Sequence, residues 1–172
     1  MNNLEKIQKG MNLLQILSKI ILVFTVVGGI ITFIGTTFVA LNVIDIDSLL
    51  LHFLPATVEI TKEQLVWILI ATTVSLLFSG IFAAFVYRYF SAELKDGTPF
   101  TTTGADKIKQ LGIMQIILSI LSMSIIDGIY EKIHLTEWNR FDDVNSIILG
   151  ICLILIAMVV RYGAELEHDN LN

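Results

Sequence analysis

Glu131, His134 and Glu137 recur every three residues, so on a helix two carboxylates and an imidazole would share one face. Those are ligand types that zinc accepts. The set lacks a second histidine, because His52 and His168 stand alone elsewhere in the chain. A segment this rich in acids also yields such spacings by chance, so no metal is expected there. No cofactor is expected either: the chain has no HExxH, no GxSxG and no phosphate-cradling glycine loop. Cys152 is the single cysteine, which excludes an intramolecular disulfide, and it reads as a small packed hydrophobe.

The elements that would have to position any chemistry are helices. No Asp, Glu, Lys or Arg occurs between Lys19 and Asp45, from Leu65 to Tyr87, from Leu111 to Ile126, or from Val144 to Val160. A helix needs roughly 20 apolar residues to cross a hydrocarbon core about 30 Å thick. Composition agrees, with 55% hydrophobic and 16% charged residues where soluble domains carry roughly 25% charge. The expected fold is therefore all-α: a four-helix transmembrane bundle forming one domain over 1–172, with spans at about 20–42, 65–88, 108–126 and 144–161. No ionisable residue falls between the helix ends, which argues against a proton relay and against hydrolysis within the bilayer. A non-enzymatic protein is expected.

Charge sets the orientation. With both termini and the 88–110 connection in the cytoplasm, that side holds Lys6, Lys9, Lys19, Arg88, Lys95, Lys107, Lys109 and Arg161, against Lys62, Lys132 and Arg140 outside. Lys and Arg mark the cytoplasmic loops, so the chain is expected N-in and C-in, multi-pass, in a bacterial plasma (inner) membrane, with the lipid bilayer as its first partner. The outer loops are acidic and no basic patch is dense, which excludes direct nucleic-acid binding. The first apolar run is longer than a signal-peptide core and reads as a permanent span.

Local signals add detail. Residues 1–19 alternate as an interfacial helix hinged at Gly10, and the first span offers Gly28, Gly29 and Gly35 for close packing. The outer loops are short and mixed: Leu49–Leu54 would lie on the interface, and Thr57–Thr61 alternates as a strand does. Thr61 with Gln64, and Thr103 with Asp106, have the spacing of capping boxes. The second helix should run unbroken over 62–96, with Ser75, Ser79, Gly80, Ala83 and Ala84 as a close-packing stripe. Gly97 suits a helix C′ position and Pro99 prevents continuation, giving a cytoplasmic helical hairpin between spans two and three. In the third span, Ser119 and Ser122 should bond back to their helix or to a neighbour, and Asp127 marks the outer boundary. Asp142 or Asp143 caps the last helix, which exits into a polar tail.

Two patches on the expected cytoplasmic side stand out: Phe90, Leu94 and Gly97-Thr98-Pro99-Phe100-Thr101 in the connection, and Arg161-Tyr162-Gly163-Ala164-Glu165-Leu166 after the last span. In these patches and in its hydropathy, the chain resembles a family of small four-span bacterial membrane proteins grouped as domain of unknown function DUF2975. Few residues follow the second patch here. Members of that family are often encoded beside a Cro-type helix-turn-helix regulator. The resemblance implies a partner of that kind at the cytoplasmic face; from their place on that face, Arg88, Lys95, Gly97, Pro99, Phe100, Arg161 and Glu165 are the candidate contact residues. The alternative is a small transporter or channel subunit acting as a homo-oligomer through the Gly28/Gly35 or Ser75/Ser79/Ala83 faces.

Overall fold

A computed structural model of the chain describes residues 3–41, 43, 60–96, 101–134 and 140–169. Among these the fold is all-α, with no strand. Helix α1 covers Asn3–Ala40, α2 Lys62–Asp96, α3 Thr102–Lys132 and α4 Arg140–Asp169. All four are long and apolar enough to cross a membrane. Even the shortest, α4 at 30 residues, is roughly 45 Å long at 1.5 Å per residue, well beyond a hydrocarbon core. Each therefore has turns to spare outside its apolar segment.

The start of α2 is the capping box expected from the sequence. Thr61 Oγ1 accepts the Gln64 N–H at 3.3 Å, and Gln64 Oε1 accepts the Thr61 N–H at 2.9 Å. The start of α3 differs from expectation. Thr101, not Thr103, is the N-cap, extended at φ −121° and ψ 157°, and its hydroxyl accepts from the Gly104 N–H at 2.9 Å. Three consecutive threonines offer the same capping chemistry, and the helix starts at the earliest of them. Gly10 is not a hinge, because α1 passes through it unbroken. Helix α3 runs on to Lys132, and α4 starts at Arg140, which puts Asp142 and Asp143 inside its first turn and not at its N-cap. Residues 161–169 of the polar tail form the last turns of α4. Cys152 is exposed rather than packed. Residues 44–59 lie outside the description, including Leu49–Leu54 and most of the alternating Thr57–Thr61 segment; Ile60 and Thr61 are not in a strand.

At its far end α3 stops in a left-handed residue. His134 has φ +57°, and its N–H donates to the Glu131 carbonyl at 3.2 Å. The left-handed backbone costs an L side chain about 1 kcal/mol or slightly more. His134→Gly should therefore raise thermal stability by about 1 kcal/mol, read as a higher melting temperature in detergent. Glu137 is not described, so the proposed Glu131, His134 and Glu137 face is not complete in the structure; among the described residues no three His, Cys, Asp or Glu side chains gather as metal ligands.

Packing is pairwise. α1 lies against α2, α3 against α4, and a thinner α2–α3 contact joins the two pairs. In the first pair Thr73 donates to Thr32 Oγ1 at 3.0 Å and Gln15 Nε2 donates to Ser91 Oγ at 2.8 Å. Gly28 faces Leu76, and Gly80 faces Thr25. In the second pair the backbones nearly touch. A methyl on Gly112 would fall 2.7 Å from the Gly150 carbonyl oxygen, and one on Gly150 would fall 2.8 Å from that of Gly112. Around this crossing α3 buries Ala105, Gly112, Ser119 and Ile126, and α4 buries Gly150 and Ala157. The seven-residue spacing is that of a left-handed helix pair, and the small side chains let the axes approach. Every neighbouring pair is antiparallel, as the Gln15–Ser91, Lys107–Glu93 and Arg161–Asp106 contacts at one end require. At the other end Gln64 Nε2 donates to the Ile133 carbonyl at 3.3 Å and Lys132 sits 4.1 Å above the Trp67 ring.

Candidate functional site

The antiparallel order gathers the start of α1, the end of α2, the start of α3 and the end of α4 at one end. Two separate polar constellations form there. Glu93, on the last turns of α2, is only 1% exposed, and its Oε1 accepts from Lys107 Nζ of α3 at 2.7 Å. Its second oxygen, Oε2, is buried without a hydrogen-bond partner. Lys107 is a third exposed, so one end of the pair meets solvent. Beside it, between α2 and α3, a cavity of about 410 Å³ is lined by Arg88, Tyr89, Lys107 and Gln110 among others. Arg88 is exposed and makes no ion pair or hydrogen bond with a described residue.

On the opposite flank of α3, Arg161 of α4 donates to Glu165 at 3.0 Å and to Asp106 at 3.5 Å. All three side chains are more than half exposed, and such pairs add little stability. Their effect is to fix the direction of the guanidinium. The residues proposed as partner contacts are therefore only partly assembled. Arg161 and Glu165 are joined, Arg88 belongs to the α2–α3 cavity, and Lys95 is exposed on α2. Gly97, Pro99 and Phe100 lie outside the described residues.

A second cavity, of about 360 Å³, opens between the two helix pairs near mid-length of α2 and α3. Its polar lining is entirely uncharged: Ser18, Ser75, Ser79, Gln115, Ser119, Ser122 and Ser146. Ser18 and Ser119 return their hydroxyls to backbone carbonyls four residues earlier, at 2.7 and 2.8 Å. Ser75, Ser79 and Ser122 make no hydrogen bond with a described residue, although Ser122 is only 7% exposed. Ser122 thus departs from the expected bond to its own helix or to a neighbouring one, while Ser119 bonds back to its helix as expected. All three residues of the Ser75–Ser79–Ala83 stripe line this cavity, Ala83 buried and both serines exposed.

No protein-family model, no characterised protein and no solved structure matches the chain. Sequence reasoning missed Glu93, Gln115 and the Gly112–Gly150 crossing. For Glu93 a signal existed. Glu93 and Lys107 lie equally far from residue 100, so a helical hairpin turning there sets them face to face.

Proposed function

We propose that the chain is a non-enzymatic four-span protein of the bacterial plasma membrane, with both termini in the cytoplasm, whose polar end receives a cytoplasmic protein. Its surface supports membrane insertion: Phe24, Phe33 and Val159 are 73%, 66% and 72% exposed, which hydrocarbon accepts and water does not. Orientation rests on the basic residues. The antiparallel order collects Lys6, Lys9, Lys19, Arg88, Lys95, Lys107, Lys109 and Arg161 toward one end, the asymmetry that marks a cytoplasmic face. The observation that carries the docking role is the Arg161–Glu165–Asp106 cluster on the α4 flank of α3, a charged, solvent-facing surface. The resemblance to four-span proteins encoded beside helix-turn-helix regulators supports a regulator as the docked protein.

In a Cys152→Ala background, a cysteine at Lys109 should resist an impermeant maleimide added to whole cells, while one at Glu63 should label. The reverse pattern would invert the orientation. Docking is tested by pulldown of the tagged chain from native membranes, which should recover a helix-turn-helix protein: Phe100→Ala with Arg161→Ala should abolish that recovery while helicity and melting temperature hold. Recovery at the wild-type level would remove the site.

The uncharged cavity favours a second function, passage or binding of a small neutral polar solute. The threonine hydroxyls of α1 and α2 are committed to backbone carbonyls and to one another, so Ser75, Ser79 and Ser122 would carry it. Vesicles reconstituted with the protein should then take up a polyol such as glycerol faster than empty ones, and Ser79→Val with Ser122→Val should remove the difference.

A further inference from the structure

We propose that the cavity between α2 and α3 is a binding site for the phosphate head of an anionic phospholipid. The inference rests on the helices spanning a bilayer, but not on the docking role. Three features of the cavity support it. Its polar groups are concentrated toward the helix ends: the Arg88 guanidinium, the Lys107 ammonium and the Gln110 amide. Its large apolar groups lie deeper along the same helices, Phe85 one turn before Arg88 on α2 and Leu111 and Met114 beyond Lys107 on α3, with only the small Ala92 nearer the end of α2. That gradient runs in the same sense as a phospholipid, head at the interface and chains in the core. A free phosphate would leave the apolar floor unused.

The charge is also of the right sign. No acid lines the cavity. Lys107 already neutralises Glu93 at 2.7 Å, so the unmatched positive charge is that of Arg88, whose five donors form a fork suited to phosphate oxygens. The buried Glu93 carboxylate holds Lys107 in place at the rim, which spares a ligand the cost of ordering it. Basic pockets between membrane helices on the cytoplasmic side bind anionic headgroups for these reasons.

The test uses the full chain in nanodiscs of pure phosphatidylcholine or of phosphatidylcholine with phosphatidylglycerol, and reads lipid retention by native mass spectrometry after transfer to neutral detergent. Phosphatidylglycerol should be retained in preference to phosphatidylcholine. Arg88→Gln should cut that preference roughly five-fold, equivalent to about 1 kcal/mol for one interfacial cation, and Arg88→Lys should restore part of it. Equal retention of the two lipids would overturn the proposal, as would full preference in Arg88→Gln. Soluble glycerol phosphate displacing the lipid at micromolar concentration would overturn the lipid assignment and leave a free phosphate as the ligand. Failure to float with phosphatidylcholine vesicles at all would instead refute membrane spanning, a separate result.

Discussion

Lys107→Met should lower the stability of the fold by about 3 kcal/mol, because it strands a buried carboxylate without its counter-charge. The loss belongs at the lower end of what such disruptions cost, since Lys107 is a third exposed and water can reach one side of the vacated position. The informative comparison is with the double variant. Glu93→Met together with Lys107→Met removes the stranded charge and fills the space with apolar atoms, which replaces a buried pair at little or no net cost. The double variant should therefore melt within a few degrees of the wild type, while the single Lys107 variant melts well below it. If Lys107→Met and wild type unfold together in detergent, the pair contributes nothing and Glu93 is satisfied by other means.

The same chemical change, glycine to alanine, should have opposite signs at two places. At Gly112 or Gly150 the added methyl would lie under 3 Å from a backbone carbonyl of the facing helix. A backbone cannot swing aside as a side chain can, so the helix pair must separate, at a cost of about 2 kcal/mol for one methyl. At Gly35 nothing lies within 4 Å, and alanine should be neutral or stabilising by up to about 1 kcal/mol through helix propensity. Thermal unfolding of the three variants decides it. A large loss at Gly35 would reveal a second copy of the chain packed on α1, the homo-oligomer that the transporter alternative requires. Tolerance at Gly112 would mean that the α3–α4 crossing is looser than it stands here.

What the sequence disclosed and what it hid divide along the range of the interactions. The apolar segments and the Thr61–Gln64 cap depend on residues within a few positions of each other, and both were legible. The α3 cap was legible only to within two residues, because Thr101, Thr102 and Thr103 carry the same hydroxyl. The Gly112–Gly150 crossing depends on the register between two helices. Its trace, small residues seven apart at Ala105, Gly112 and Ser119 and again at Gly150, Ala157 and Ala164, is weaker than the Gly28-Gly29 pair that drew attention to α1. Of those two glycines only Gly28 meets a neighbour. Within the candidate site, Arg88, Lys95, Arg161 and Glu165 were legible as charges at helix exits. Their division into two flanks of α3 was not, since it requires knowing that α4 packs on α3 and not on α2.

The pairwise packing has a bearing on how the chain is made. All the substantial helix contacts join elements consecutive in sequence, α1 to α2, α2 to α3 and α3 to α4. No helix must wait for a distant partner to be synthesised. The first hairpin can form its Thr32–Thr73 and Gln15–Ser91 bonds while the second is still on the ribosome. The order of synthesis is then also the order of assembly, and the low contact order that results keeps the interval in which helix faces wait unpaired as short as translation allows.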